Sequence, residues 1–276
     1  MMNHKSNLHK EFRFVGLSRS GNHAIINWTI NQLDGRYCFL NCAEPKYNPF
    51  ETARPLGEGA KTYITNIPLF NPVKEQQGEF SRKDYLLYSH EDCFLGSLNH
   101  SMFRENRECW VGPAEVWKDL LVLRDPFNLF ASRIKSGLIQ GHYTHYGVKP
   151  ISTHTLKRIY KQHAREFLGE KRYLKNRVLI NFNKWTADKE YRKAVAEKLR
   201  ITFSDKGFKE VSEVAGGSSF DGIKLSGQAN KMKLHNRWKE FASDESFWSL
   251  FDVELVELAR EIFGDIPPVS YFYQNS

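Results

Sequence analysis

The chain has 276 residues, 41% of them apolar, and a formal net charge of +8. That length supports one large α/β domain or two small ones, and an alternation of strands with helices favours a single parallel sheet. The charge asks for an anionic partner without choosing among a doubly phosphorylated ligand, nucleic acid and an acidic glycan, and no arginine-rich tail or nucleic-acid motif points to the second.

In chain order, Phe12-Arg13-Phe14-Val15 has the pattern of a short buried strand, and Ala24 to Leu33 has helical length and spacing. Between them runs Gly16-Leu17-Ser18-Arg19-Ser20-Gly21-Asn22-His23. The glycine spacing is that of a phosphate-binding P-loop, G-x-x-x-x-G-K-[ST], in which backbone N–H groups cradle phosphate, Lys reaches the outer phosphates and the hydroxyl holds magnesium. Asn22 and His23 stand in place of the Lys and the hydroxyl residue, so the cradle is kept and the magnesium ligand is not. With Arg19 as a cation inside the loop, an anionic group handled without metal is expected.

Residues 41 to 80 hold five of the ten prolines of the chain and read as an irregular insert beside the sheet. Asp84-Tyr85-Leu86-Leu87-Tyr88 reads as a strand with Ser89-His90 following it. Asp119 to Leu123 is a further buried strand, ending at Arg124-Asp125-Pro126; Phe127 to Ser136 is a helix stopped by Gly137. Arg124 therefore falls at the carboxyl end of a strand, where open α/β sheets bind ligands, and Ser132 follows on the helix eight residues later. Residues 139 to 150 form a second irregular segment, placed to cover an acceptor site. Helices are expected near 154–169 and 188–199, a strand at Arg177 to Phe182, and a last helix over 244–263 with Phe247, Leu250, Phe251, Leu255, Leu258 and Ile262 on one face. Cys38, Cys42, Cys93 and Cys109 lack metal-ligand spacing, and neither a secretory signal nor a long apolar run is present. Reduced thiols in a cytoplasmic protein, with no membrane partner, are expected.

Ser18-Arg19-Ser20-Gly21 resembles the 5′-phosphosulfate loop of the sulfotransferases that use 3′-phosphoadenosine 5′-phosphosulfate (PAPS). Arg124 and Ser132, with Arg133 and Gly137 behind them, resemble the 3′-phosphate motif of that family. The likeness touches roughly residues 12 to 240. It implies a P-loop-like, three-layer α/β/α fold around a central, mostly parallel sheet, spanning 1–276 as one domain, with 41–80 and 139–150 as acceptor-site insert and lid. It also implies PAPS as donor, 3′,5′-adenosine bisphosphate (PAP) as product and no required metal.

Residue by residue, the resemblance gives the donor to Ser18, Arg19, Ser20, Gly21, Asn22, His23, Arg124 and Ser132. Arg19 takes the place of a basic residue that contacts the transferred sulfuryl group. Trp185, with Phe182, corresponds to a segment that contacts adenine. Ser218, Ser219, Phe220 and Lys231 fall in a late loop that closes over the 3′-phosphate, ahead of a Trp238-Lys239 pair. His90 stands where relatives carry a catalytic histidine, and Glu91 is the reserve, since glycan-modifying relatives use a glutamate. An imidazole, titrating near pH 6.5, can accept the acceptor's proton at neutral pH.

The acceptor is expected to be a small molecule with a hydroxyl or nitrogen, and Glu44, Glu91 and Asp92 would suit a cationic one. The loop and the chain's size also look similar to the compact sulfotransferases of cyanobacterial natural-product pathways. Two other classes fit parts of the pattern. A P-loop small-molecule kinase shares the glycine spacing but needs the missing Lys and hydroxyl. A noncatalytic basic adaptor for nucleic acid or glycan would explain the charge but not the paired motifs.

Overall fold

A computed structural model describes residues 8–139, 151–212 and 217–275. The expected buried strand is the middle of β1 (Leu8–Gly16), whose Phe12 and Phe14 face one side of the sheet while Arg13 and Val15 face the other. After β1 come α1 (Asn22–Ile30), β2 (Tyr37–Leu40), α2 (Pro49–Thr52), β3 (Tyr63–Thr65), α3 (Pro72–Gln76) and β4 (Lys83–Glu91). They are followed by α4 (Ser101–Val111), β5 (Ala114–Leu123), α5 (Pro126–Lys135), α6 (Thr153–Leu168), β6 (Arg177–Asn181), α7 (Phe182–Ala187) and α8 (Lys189–Leu199). The last elements are α9 (Glu245–Trp248), α10 (Val253–Phe263) and α11 (Pro267–Asn275).

The six strands form one sheet in the order β3-β2-β4-β1-β5-β6, parallel except for β3, which runs antiparallel to β2. Helices pack on both faces, giving the α/β sandwich that the strand and helix alternation implied. On one face, Ile25, Ile26 and Trp28 of α1 and Val195, Ala196 and Leu199 of α8 cover Phe12, Phe14, Leu120 and Val122. On the other, Phe127 and Phe130 of α5 join Leu156, Ile159 and Tyr160 of α6 and Leu255, Val256 and Ala259 of α10.

Several boundaries differ from the sequence expectation for local reasons. β4 runs on through Ser89, His90 and Glu91, because Val15 and Gly16 of β1 pair with His90 and Glu91. β6 ends at Asn181, whose side chain accepts from the Lys184 N–H at 3.0 Å and so turns Phe182 into the first residue of α7. The expected helix over 244–263 is two helices, each with its own aspartate cap. Asp244 accepts from Ser246 N–H, and Asp252 accepts from Leu255 N–H at 3.0 Å. Of the expected face, Phe247, Phe251, Leu255, Leu258 and Ile262 are buried and Leu250 is partly buried. The 41–80 stretch is more regular than expected, since it contributes α2, α3 and the edge strand β3.

Parallel register places Gly16 of β1, Glu91 of β4 and Leu123 of β5 at one end of the sheet. β4 and β5 flank β1 on opposite sides, so the connections leaving these strands diverge there. Such a reversal opens a crevice at the carboxyl ends of the strands.

Candidate functional site

The loop leaving β1 turns sharply. Arg19 has φ 75° and Gly21 has φ 92°, a left-handed conformation that glycine adopts without a Cβ penalty. Space makes the same demand at Gly21, where a Cβ would lie 2.1 Å from Cε2 of Phe182. The loop is tied internally and to β4. Ser20 N–H donates to the Leu17 carbonyl at 3.0 Å and Leu17 N–H donates to Ser20 Oγ at 3.2 Å. Ser18 Oγ donates to Glu91 Oε2 and Asn22 Nδ2 to Glu91 Oε1, both at 2.8 Å. Asp92, with φ 54°, accepts from Ser18 N–H at 3.0 Å and pairs with Arg133 NH1 at 2.8 Å; the same NH1 donates to the Ser18 carbonyl at 3.1 Å. Arg133 thus clamps the back of the loop.

Arg124 leaves the end of β5 and meets three elements. Its NH1 donates to the Arg19 carbonyl and to Ser132 Oγ, each at 3.1 Å, and its NH2 donates to the Leu234 carbonyl at 2.7 Å. Ser132 lies two helical turns into α5 and in turn donates to the Asn128 carbonyl at 2.8 Å. A second guanidinium arrives from the far end of the chain. Arg237 NH1 donates to the same Ser132 Oγ at 3.0 Å and NH2 donates to Ser218 Oγ at 2.7 Å. Arg19 reaches the 217–220 segment as well, NH1 donating to the Gly217 carbonyl at 3.3 Å.

Three guanidiniums therefore converge in a poorly solvated corner. Burial, then the charges of Arg237 and Arg19, push Arg124 down to about 9, with Asp125 opposing. Burial likewise pushes Arg237 down to about 10; Arg19 adds to this and Asp221, 3.5 Å away, opposes it. An anion seated among them would relieve that repulsion.

These side chains open onto a cavity of about 360 Å³. Its polar lining includes Arg19, Asn22, His23, Glu91, Arg124 and Arg237, and its apolar lining Phe182, Trp185, Phe208, Val211, Met232 and Leu234. Phe182 and Trp185 stack with centroids 5.9 Å apart and planes at 17°. Two lining donors, Ser219 Oγ and Trp185 Nε1, are buried without a hydrogen-bond partner among the described residues, which suits a polar ligand in the cavity. The first amides of α1 sit at the loop, where a helix leaves its N–H groups without intrahelical partners.

The residues singled out from sequence are distributed as follows. Arg19, Gly21, Asn22, His23, Glu91, Arg124, Trp185, Ser218 and Ser219 line the cavity. Ser18, Ser20 and Ser132 stand directly behind its wall, holding Glu91, the loop turn and the two arginines respectively. Phe220 packs under the Arg237 guanidinium at 4.7 Å. Lys231 is exposed on a short turn outside the lining residues.

His90 is also away from the cavity, on the opposite face of β4 from Glu91. Its ring is 1% exposed, stacks edgewise on Tyr88 and donates from Nδ1 to the Ala43 carbonyl at 2.6 Å, leaving Nε2 buried without a partner. Burial first, then Arg13, push its pKa down to about 3. The strand's extra residues are the cause: once β4 continues past Tyr88, alternation sends His90 inward to the α4 side and Glu91 to the α1 side. Sequence reasoning missed Arg237, whose only local signal was a place in Arg237-Trp238-Lys239. Residues 140–150 and Gly216 lie outside the described residues.

No protein-family model matches the chain, and no curated protein matches it in sequence. Among solved structures, the comparison finds mouse sulfotransferase SULT7A1 complexed with PAP, at 10% identity and a TM-score of 0.41, covering 97% of this chain and 89% of that one. A likeness of that degree assigns no activity. Among the described residues no group of three or more His, Cys, Asp or Glu side chains is arranged to hold a metal ion, and no helix is long and apolar enough to cross a membrane.

Proposed function

We propose that the chain is a PAPS-dependent sulfotransferase acting on a small-molecule hydroxyl or nitrogen. The observation that carries this reading is the convergence of Arg124, Ser132 and Arg237 beside a P-loop-like turn whose motif Lys and hydroxyl are replaced by Asn22 and His23. A nucleotide carrying a second phosphate on its ribose matches two anion-binding places, one at the head of α1 and one at the arginine pair, and the apolar lining residues suit its base. PAPS would supply the sulfuryl group and a bisphosphate leaving group.

The chain's own residues divide the work. Arg124 and Arg237, both held by Ser132 Oγ, bind the 3′-phosphate and so discriminate against ATP. Phe182 and Trp185 offer aromatic faces to adenine. Arg19, always protonated, acts as a fixed charge and donor where negative charge grows during transfer. Glu91 takes the acceptor's proton, since it faces the cavity and His90 does not. Ser18 and Asn22 orient its carboxylate, one bond to each oxygen.

The narrowest acceptor reading is the carbamoyl nitrogen of a saxitoxin-type alkaloid, in a cytoplasmic natural-product or toxin pathway. It rests on the Ser18–His23 loop and the chain length. Asp92 is committed to Arg133, so a cationic acceptor would meet Glu91 and Glu210 at the cavity instead.

The test is incubation with PAPS carrying labelled sulfur and a panel of small alcohols, amines and carbamates. Label appearing in an acceptor with release of PAP supports the reading. Label transfer from γ-labelled ATP with magnesium, in its place, makes the protein a kinase.

A further inference from the structure

His23 lies in the first turn of α1, lines the cavity, and bonds through Nε2 to Asn41 Oδ1 at 3.0 Å. Asn41 does not line the cavity. It is 7% exposed, just past the end of β2, and is fixed there on three sides. Its N–H donates to the Thr62 carbonyl at 3.1 Å, its carbonyl accepts from Arg54 N–H at 2.7 Å, and its Nδ2 donates to the Pro55 carbonyl at 3.2 Å. That last bond settles the amide's orientation, because the flipped amide would set Oδ1 against a carbonyl oxygen. With Oδ1 facing the ring, Nε2 must carry the hydrogen. The nitrogen left for an occupant of the cavity is Nδ1, which is a lone-pair acceptor in the neutral ring and a donor only in the imidazolium.

An anion at the head of α1 would be repelled by neutral Nδ1 and bonded by protonated Nδ1–H. We propose that His23 is a proton-coupled anion clamp: the bisphosphate end of the nucleotide binds together with one proton on Nδ1, and Asn41 enforces the coupling by locking the tautomer. This rests on the reading of the cavity as a PAP and PAPS site. The charged and titratable groups that share the cavity wall with His23 are Arg19 from the loop, Glu91 from β4, Arg124 from β5, Glu210, and His235 and Arg237. α1 itself places no acidic residue in its first turn and no basic residue in its last. An anion bound beside Nδ1 favours the imidazolium, so protonation and binding reinforce each other. Held in this way, Nδ1–H also donates to the leaving phosphate as negative charge builds on it.

The experiment is calorimetric titration with PAP at pH 7.5 in two buffers of different ionisation heat, on the wild-type chain, His23→Gln and Asn41→Asp. The buffer dependence of the heat gives protons taken up per PAP bound. PAP's own ionisations are common to all three proteins, so the differences isolate His23. Wild type is expected to take up a large fraction of one proton, with affinity falling up to tenfold per pH unit above the midpoint. His23→Gln should bind PAP with that uptake abolished, and Asn41→Asp should move the midpoint upward, since a carboxylate on Nε2–H favours the imidazolium. Equal uptake in wild type and His23→Gln, or none in wild type, overturns the clamp while leaving the PAP site standing. Absence of PAP binding by the folded wild type overturns the clamp and the sulfotransferase reading together.

Discussion

Phe182 lies so close over Gly21 that a single added methyl group would sit 2.1 Å from its ring. The contact joins the loop after β1 to the first residue of α7, and both residues line the cavity. Gly21→Ala would have to displace a ring that is 3% exposed and stacked on Trp185, and would also strain a residue at φ 92°. A stability loss of about 1–3 kcal/mol is expected, with PAP affinity reduced as the ring shifts into the site. Thermal unfolding and PAP titration on the same variant check both.

On the proposed function, Arg124 serves the ligand more than the fold. Its charge is held against desolvation and two neighbouring guanidiniums. Arg124→Met should therefore cost PAP about 2 kcal/mol, roughly thirtyfold in affinity, while leaving the unfolding midpoint of the ligand-free protein unchanged or higher. Arg237→Met should behave similarly, and the two losses should be non-additive because both guanidiniums share Ser132 Oγ.

The Arg133 and Asp92 pair behaves in the opposite way. Arg133 is fully buried and ties Asp92 to the Ser18 carbonyl. Arg133→Met leaves Asp92 without its cation and should destabilise the protein by about 3–5 kcal/mol. Urea unfolding of this variant beside Arg124→Met distinguishes a structural arginine from a ligand-binding one.

His90 predicts a pH dependence of stability. Its folded pKa of about 3 lies below the ordinary 6.5 of an exposed imidazole, so between those values the unfolded chain binds the extra proton. The stability associated with the neutral ring is complete above pH 6.5 and is lost as pH falls toward 3, at up to about 1.4 kcal/mol per pH unit. His163, pushed down to about 4 by burial, acts in the same direction. Urea midpoints measured from pH 7 to 4.5 should fall for wild type and fall less steeply for His90→Leu. PAP affinity at pH 7.5 should survive that substitution, because His90 does not line the cavity.

What could be read from the sequence was whatever is local. The strand, loop and helix around Gly16–His23 follow from apolar spacing and glycine placement. Arg124 and Ser132 meet because a strand end and two turns of helix bring residues eight apart together. What could not be read depends on partners distant in the chain. β4 runs three pairs past Tyr88 because β1 continues beside it, and that extension puts His90 in the interior and Glu91 at the cavity. Arg237 reaches Ser132 across 105 positions, through a stretch of turns with no periodicity to extrapolate. Asn41 joins His23 from the end of another strand, and nothing around either residue marks the pair.

Calorimetric titration of the purified chain with PAP, beside AMP and ATP with magnesium, and repeated on Arg124→Ala, asks whether the cavity selects a nucleotide with a 3′-phosphate. Micromolar binding of PAP is expected, with much weaker binding of AMP and of ATP with magnesium, and PAP affinity at least about thirtyfold lower in the variant. Preference for ATP with magnesium, or equal affinity for PAP and AMP, would contradict it.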